Sequence, residues 1–342
     1  MDAQFWNESD QDVLERFVGF KDDLIKVVEE SVVGQKNVVE EILAAFFAGE
    51  HLLLSGVPGI GKSSVLRAIS ERLRLQYYRS QFTPDLYPGD LCGSNSLHEG
   101  ARWEPRSVEN GSCAFFSNIF LAEEVERAPH KTQAFLLDAM RERRIDFCGR
   151  RFELDDPFFV VVTRNPMESD NARPFSLGQI DRFLFYTEMD YPKNSDEIKT
   201  VLRSTSDVEK NSSVEVSRDE LLGYRRLVKR IVAPQNVVEF AVKIIRRTRP
   251  QTKYSSRLTQ QYVEWGGSPY ASRAVVLAAK AFAAFAGRRE ISMDDVERVV
   301  PSVLRGRIVL NHLAQSDGIT VDLLVRKITR EVRMELEENS TL

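Results

Sequence analysis

The chain has 342 residues, 42% of them hydrophobic and 29% charged, a composition that excludes the disordered and membrane-embedded classes. Lysine and arginine number 47 against 51 aspartate and glutamate, and the net charge of -4 argues against a general nucleic-acid binder. At roughly 150 residues per domain, the length predicts about two domains.

The first half of the chain alternates helical and strand-like patterns. Apolar residues at helical spacing predict helices over residues 12–30 and 37–48, joined at the sequence VVGQ. Strand-like runs follow in HLLLSG, QYYRSQF, CAFFSNIFLA, PFFVVVTRN and RFLFYTEM, with helical segments such as KTQAFLLDAMRER between them. Two short alternating runs around Cys148 and Gly149 predict a β-hairpin. The alternation indicates an α/β layer with a mainly parallel sheet.

The strand-like runs stop after Pro192. Residues 204–217 are polar and serine-rich, as expected of a linker, and the long segments beyond them are helical in period. We therefore expect an α/β core in residues 1–204, including the N-terminal helices, and an all-helical lid domain in residues 205–342.

Targeting and metal-binding patterns are weak in this sequence. The N-terminus lacks the features of a secretory signal, and no apolar stretch approaches the roughly 18 residues that span a bilayer. The four histidines lack acidic ligand spacing, and the scattered cysteines predict neither a disulfide framework nor a zinc site. We expect a cytoplasmic protein without a membrane span. The cysteines are Cys92, Cys113 and Cys148.

A phosphate-binding loop is the strongest motif. Residues 56–63 read GVPGIGKS and match G-x-x-x-x-G-K-[ST] between a predicted strand and a predicted helix. Such a loop wraps an anion with backbone N–H groups, and the helix points its positive end at the same phosphates. Lys62 is expected to reach the β- and γ-phosphates and Ser63 to contact Mg²⁺. The candidate binding residues are Gly56, Val57, Pro58, Gly59, Ile60, Gly61, Lys62, Ser63 and Ser64.

An acidic pair follows another predicted strand, in IFLAEEVERAP. Hydrolysis at a phosphate loop needs a carboxylate near the metal and a group that activates water. Glu123 is the candidate for orienting the Mg²⁺ shell, and Glu124 is the candidate general base. The alternative is a solvated acidic pair at a strand end.

Two further polar residues flank strand-like runs. Asn165 ends FVVVTRN and is expected at the carboxyl edge of the sheet, where it would position water or contact the γ-phosphate. Alternatively it is a turn-forming residue before Pro166. Arg182 precedes RFLF and either pairs with Asp181 or Glu188, or projects across a subunit interface as an arginine finger.

The order and spacing of these motifs resemble the MoxR group of AAA+ ATPases over almost the whole chain. The resemblance is carried by VVGQ, LLLSGVPGIGKS, QFTPDLYPGDLCG, LAEEVERAPHKTQAFLLDAM, VVVTRNPME, GQIDRFLF, GGSPYASRAVVLAAKAFAAFAGRREISMDDV and VLRGRIVL. It implies an α/β class AAA+ P-loop αβα core with an insert in helix 2 over residues 82–112, a hairpin over 144–154, and a helical lid. It also implies bound ATP or ADP with Mg²⁺.

The same resemblance assigns roles to individual residues. Asn165 would be sensor 1, and Arg182 would be the finger that completes the neighbouring site in a ring, most simply a hexamer. Two departures from the family fall in the catalytic machinery. Glu123 stands where Asp is usual, and Tyr270 takes the position of the sensor 2 arginine, with Arg273 one helical turn later as a substitute or an ordinary surface charge. The residues expected against the adenine are Val33, Gly34 and Gln35.

Two other groups have alternative interpretations. Residues 225–257 contain ten basic residues against the single acid Glu239, and form either a basic contact surface or solvated helix faces. Trp103 would either grip a client or pack internally, whereas core packing is the favoured interpretation of Phe115 and Phe116.

The leading hypothesis is an Mg²⁺-dependent ATPase that remodels, assembles or activates a protein client. The resemblance suggests a partner with a von Willebrand factor A domain. The alternative is an ATP-binding assembly protein with impaired hydrolysis, motivated by Glu123 and Tyr270. A DNA-dependent motor is less consistent with the acidic composition, and nucleic acid is not an expected partner.

Overall fold

The computed structural model describes residues 8–93, 113–166, 175–204 and 216–340. Two compact units divide the chain. The sheet unit comprises Phe20–Phe183 and Thr187–Leu222, and the helical unit comprises Gly223–Leu342 together with Met1–Gly19 and Leu184–Tyr186. The boundary after residue 204 stays a prediction, since residues 205–215 lie outside the described ranges. Within those ranges, no helix has both the length and the apolarity that a membrane crossing requires.

The strands, in chain order, are β1 (His51–Ser55), β2 (Tyr77–Gln81), β3 (Ile119–Glu123), β4 (Arg144–Phe147), β5 (Arg150–Glu153), β6 (Phe159–Arg164), β7 (Phe183–Glu188), β8 (Val263–Trp265) and β9 (Val309–Leu310). The helices are α1 (Glu8–Ser31), α2 (Lys36–Ala48), α3 (Lys62–Arg72), α4 (Pro88–Leu91), α5 (His130–Glu142), α6 (Leu177–Ile180), α7 (Asn194–Ser204), α8 (Arg218–Arg230), α9 (Gln235–Arg247), α10 (Arg257–Tyr262), α11 (Pro269–Phe285), α12 (Met293–Leu304), α13 (His312–Ser316) and α14 (Val321–Ser340).

The main sheet has the strand order β2-β3-β6-β1-β7, and the pairs β2–β3, β3–β6 and β6–β1 are parallel, as predicted. Strands β1 and β3 are buried along their whole length, which explains their continuous apolar sequences. The ring of Phe46 on α2 meets the ring of Phe159 on β6 edge to face, with centroids 5.6 Å apart. Because parallel strands end at one edge, the loops after β1, β3 and β6 lie near one another.

The predicted strand CAFFSNIFLA is wrong in its first half. Residues 114–116 form a 3-10 turn, and β3 begins only at Ile119. The Ser117 hydroxyl donates a 2.7 Å hydrogen bond to the Ala114 carbonyl and closes the turn. Phe115 is fully buried, with ring centroids 5.7 Å from Phe120 and 5.4 Å from Phe135. The burial of Phe115 in the core thus outweighs the strand preference of this aromatic run.

The predicted hairpin is confirmed. Strands β4 and β5 pair antiparallel, and the two residues between them, Cys148 and Gly149, both have positive φ values of 50° and 73°. A two-residue turn with both φ values positive matches the twist of the flanking strands. The side chain of Arg151 donates to Asp146 across the hairpin at 3.1 Å.

The C-terminal segments are helical as predicted, with one addition. Val263 of β8 pairs with Leu310 of β9 in a short antiparallel sheet. The buried Val263 follows directly on α10, and the Asn311 N–H donates to the Tyr262 carbonyl beside this pairing. These strands of three and two residues are too short to be recognised in the sequence, and they join the segment after α10 to the segment after α12.

Candidate active site

The glycine loop joins the end of β1 to the start of α3. Gly59 and Gly61 have φ values of 81° and 102°, a left-handed conformation that disfavours residues with a side chain. Gly61 caps α3, and the first helical hydrogen bond runs from the Val65 N–H to the Gly61 carbonyl. The N–H groups of the first turn, from Lys62 onward, therefore remain available to an anion.

Gly56 is needed for a different reason. A Cβ at this position would lie 2.9 Å from the Met189 carbonyl oxygen, which is fixed backbone. The Gly56 N–H also donates to the Arg164 carbonyl at 3.2 Å, so the loop is attached to the end of β6. The start of the loop is thus held between two neighbouring strand ends.

Lys62 points its ammonium group back at its own loop. Nζ donates to the carbonyls of Gly56 at 2.5 Å and Val57 at 3.0 Å. Burial lowers the pKa of Lys62, and the charges of the nearby glutamates oppose that change. Because both of these hydrogen bonds go to neutral carbonyls, a phosphate would be a stronger partner for the ammonium group.

Glu123 ends β3 and is nearly buried. The Ser63 hydroxyl donates to its Oε1 at 2.6 Å, while Nε and Nη2 of Arg79 donate to its Oε2 at 2.9 and 2.7 Å. Burial by itself would raise the pKa of Glu123, but the hydrogen bonds from Arg79 and Ser63 and the charges of Arg79 and Lys62 lower it overall. The carboxylate is therefore ionised and directed at the start of α3.

Glu124 turns away from the strand direction because its backbone is left-handed, with φ 53°. Its Oε2 accepts a 2.6 Å hydrogen bond from Gln81 Nε2 and lies 3.0 Å from Arg127 Nε. Its N–H donates to Thr163 Oγ1 at 3.3 Å, which joins the tip of β3 to β6. The second acid is thus a positioned side chain, which argues against the interpretation of a freely solvated pair.

Asn165 follows β6 and is buried. Its N–H donates to Glu126 Oε1 at 3.2 Å. Glu126 is 3% exposed, and its Oε2 has no hydrogen-bond partner among the described residues. Burial raises the pKa of Glu126, and the hydrogen bond from Asn165 only partly offsets this. No sequence motif singles out Glu126 as a buried acid.

One cavity of about 370 Å³ brings these groups together. Its lining includes the predicted Lys62, Ser63, Glu123, Glu124 and Asn165. Sequence reasoning missed two further lining residues, Arg79 and Gln81. They stand at alternating positions in QYYRSQF and therefore share one face of β2. The lining consists of residues 58–64, Arg79, Gln81, Glu123, Glu124 and residues 163–165.

The segment expected against the adenine lies outside that lining but in the same unit. Gln35 Nε2 donates to the Asp190 carbonyl at 2.8 Å. A Cβ on Gly34 would lie 2.8 Å from Asp196 Oδ2, so this position admits only glycine without a shift. The adenine-binding role of Val33 and its neighbours stays a prediction.

Arg182 does not line the cavity. Its Nη1 lies 3.2 Å from Asp138 Oδ1 on α5, a partner that the sequence did not suggest. Its side chain is only a quarter exposed. Its role as a finger stays a prediction.

Comparisons with known proteins agree with this geometry. The family model "ATPase family associated with various cellular activities (AAA)" matches residues 51–185, and an AAA lid domain model matches residues 255–328. The protein named Chaperone MoxR1 of Mycobacterium tuberculosis is 31% identical over 90% of this chain and 80% of its own length. The chain belongs to the MoxR family of AAA+ ATPases.

A second relative named MoxR and a solved structure extend the comparison. Protein MoxR of Methylorubrum extorquens is 26% identical, over 83% of this chain and 85% of its own. The crystal structure of a candidate ATPase from Cytophaga hutchinsonii superposes with a TM-score of 0.85 at 28% identity, covering 94% of this chain and 97% of that one. The AAA+ core and helical lid expected from the sequence are thereby confirmed.

The departure from the MoxR pattern in the lid, Tyr270, and its candidate substitute, Arg273, are both on α11. Tyr270 and Arg273 are exposed in the first turns of that helix. The sensor 2 role of Arg273 stays a prediction.

Much of the basic stretch 225–257 is engaged inside the helical unit. Lys243 and Arg247 both donate to Glu335 on α14. The Arg246 guanidinium lies over the Tyr254 ring, 3.8 Å from its centroid. These side chains are therefore paired within the helical unit, so this part of the stretch is neither a free basic surface nor a fully solvated helix face.

The helix-2 insert lies largely beyond the described residues. Trp103 falls in the range 94–112, which the structure does not describe. Of the two phenylalanines after it, Phe115 is core, and the Phe116 ring packs edge to face on Phe152 of the hairpin, with centroids 6.2 Å apart. Cys92 and Cys113, on either side of that range, are buried free thiols.

Proposed function

We propose that this protein binds ATP and Mg²⁺ in the cavity, hydrolyses the nucleotide, and uses the hydrolysis to remodel, assemble or activate a protein client. The observation that carries the proposal is the convergence of Lys62, Ser63, Glu123, Glu124 and Asn165 on one cavity at the carboxyl ends of β1, β3 and β6. A phosphate loop without acids would support binding alone. The acids beside it supply the groups that hydrolysis needs.

The donor set at the start of α3 fits Mg²⁺. A hydroxyl from Ser63 and a carboxylate from Glu123 lie 2.6 Å apart, and oxygen ligands beside phosphate-binding N–H groups are what this ion prefers. Ser63 and Glu123 would hold the ion, which neutralises charge on the β- and γ-phosphate oxygens when bound. Lys62 would exchange its loop carbonyls for phosphate oxygens.

The remaining groups would act on the attacking water. Glu124, held by Gln81 and Thr163, would accept the proton from that water. The Asn165 amide would orient the water or the γ-phosphate from the adjoining strand end. Val33, Gly34 and Gln35 would contact the adenine, and Arg273 of the lid would contact phosphate.

The assembly proposed is a ring, most simply a hexamer, in which Arg182 reaches the neighbouring site. That role requires Arg182 to leave Asp138, whose side chain is more than half exposed, so the exchange of partners involves little desolvation. The client and a partner carrying a von Willebrand factor A domain are proposed by analogy with the family, one relative of which is named a chaperone.

A second candidate function has a specific observation behind it. The metal-side acid is Glu123, already bound to Arg79, and the usual sensor 2 position holds the exposed Tyr270. Both features favour a protein that binds ATP firmly and hydrolyses it slowly, with assembly rather than turnover as its output.

ATP turnover and binding of a fluorescent ATP analogue, measured together, separate these functions. Lys62→Ala should abolish both, whereas Glu124→Gln should abolish turnover and keep binding. Lys26→Ala, an exposed lysine on α1, is the control for loss of a charge. Equal turnover in the wild type and Lys62→Ala contradicts the ATPase proposal, and firm binding with negligible wild-type turnover favours the second candidate.

A further inference from the structure

Arg79 lies on β2, outside every sequence motif described above. β2 and β3 are parallel neighbours, with Gln81 opposite Glu123 in the register and Arg79 opposite Leu121. The side chains of Arg79 and Glu123 therefore emerge from the same face of the sheet, two residues apart along the strand direction. The arginine side chain is long enough to extend toward the strand end, where both Nε and Nη2 reach Glu123 Oε2.

Each oxygen of Glu123 has a separate donor. Oε2 accepts hydrogen bonds from Arg79, and Oε1 accepts one from the Ser63 hydroxyl. An aspartate at this position would be one methylene shorter and could not keep both donors without a backbone shift. The unusual length of the acid and the arginine thus form a matched pair that directs Oε1 at the start of α3.

Charge gives the pair a second property. The Glu123 side chain is 10% exposed, so its negative charge needs a partner, and the guanidinium is permanently charged. The hydrogen bonds of Lys62 described above go to loop carbonyls. Arg79 is therefore the cation in direct contact with Glu123 in this arrangement.

A divalent cation approaching Ser63 and Glu123 would share the carboxylate with that guanidinium. Two cations on one carboxylate repel each other, and the repulsion is stronger in a partly buried site than in water. The phosphate chain of a nucleotide brings several negative charges to the same place and removes the conflict. The Arg79 side chain is 56% exposed, so it can also move toward solvent at low cost.

We propose that Arg79 is a positioning residue that acts through Glu123 as an internal counter-cation. It keeps the metal-side carboxylate neutralised and aimed at Ser63 while nucleotide is absent, so a divalent cation binds together with the phosphate chain and not ahead of it. This inference rests on the proposed function, because it concerns the same metal position.

Mn²⁺ is the probe, and its free concentration is followed by electron paramagnetic resonance in titrations of nucleotide-free protein. Arg79→Gln should bind Mn²⁺ about tenfold more tightly than the wild type, because one nearby positive charge is removed. Arg79→Lys should stay close to the wild type. Arg151→Gln on the hairpin, also an exposed and paired arginine, is the control and should change nothing.

A second titration contains a non-hydrolysable ATP analogue. There the difference between Arg79→Gln and the wild type should shrink, because the phosphates offset the guanidinium. Arg79→Met, which keeps the aliphatic stem, repeats the test if the glutamine variant is unfolded in a thermal melt. The proposal is overturned if a folded Arg79→Gln or Arg79→Met protein binds Mn²⁺ no more tightly than the wild type in the absence of nucleotide. This holds whether its affinity is equal, lower or too weak to measure. Failure of the analogue to bind the wild type would instead contradict the proposed function.

Discussion

Gln81 donates a 2.6 Å hydrogen bond to Glu124 Oε2 across the pair of parallel strands β2 and β3. Arg127 contacts the same oxygen from the turn that follows. Two side chains on the same face of β2 therefore donate to the two acids: Arg79 to Glu123 and Gln81 to Glu124. The edge strand of the sheet sets the orientation of the candidate catalytic groups.

Gln81→Ala is expected to lower kcat by about tenfold and leave the KM for ATP nearly unchanged, because Glu124, the proposed general base, loses a fixed donor while the phosphate loop is untouched. Steady-state ATPase assays measure both constants. Gln260→Ala in the helical unit, an exposed glutamine, is the control. A raised KM with normal kcat would show that Gln81 serves binding and not the acid.

Glu126→Gln is expected to change the pH dependence of stability. Burial raises the pKa of Glu126 in the folded state, so this group stabilises the fold at pH values below its unfolded pKa, and that contribution is lost as pH rises through the folded pKa. The variant cannot ionise and should be more stable than the wild type by about 1 kcal/mol or more at pH 8, with a smaller difference at pH 5.5.

Urea denaturation of both proteins at the two pH values measures this difference. Glu153→Gln on the exposed strand β5 is the matched control and should show no pH-dependent gain. A gain of equal size at both pH values would point to packing in place of ionisation.

Gly56→Ala is expected to weaken binding of a fluorescent ADP analogue at least about tenfold and to destabilise the sheet unit by about 1–3 kcal/mol, because the new Cβ meets a backbone carbonyl that cannot move aside. Gly178→Ala on α6 is the control, since a Cβ there has no neighbour within 4 Å. Wild-type affinity in Gly56→Ala would mean that the loop tolerates a shift at its first residue.

Arg182→Ala is expected to keep nucleotide binding and lose most ATPase activity, if the arginine completes the neighbouring site. Mixing Arg182→Ala subunits with Glu124→Gln subunits tests this directly. About a quarter of the sites in a random ring then combine an intact acid with an intact finger, so activity should partly recover. Mixtures as inactive as their components, with ring formation confirmed by mass, contradict an action in trans.

The sequence-based predictions succeeded where the signal is local. The phosphate loop, the hairpin turn at Cys148 and Gly149, and the buried strands each follow from neighbouring residues. The aromatic run at Phe115 misled because β propensity is overridden by tertiary packing. Arg79 was missed because its contact with Glu123 depends on the register between β2 and β3, which pairs Tyr77 with Ile119, and a single sequence does not specify that register.

Strand β6 has a consequence for how the site keeps its dimensions. It lies between β1, which leads into the phosphate loop, and β3, which carries the acids. Two interstrand steps of about 4.8 Å separate the backbones of β1 and β3 by roughly 10 Å. The side chains of Val160, Val161 and Val162 in β6 are fully buried, so packing on both faces of the sheet holds this strand in place. The width of one apolar strand thus sets the distance between the phosphate loop and the two acids.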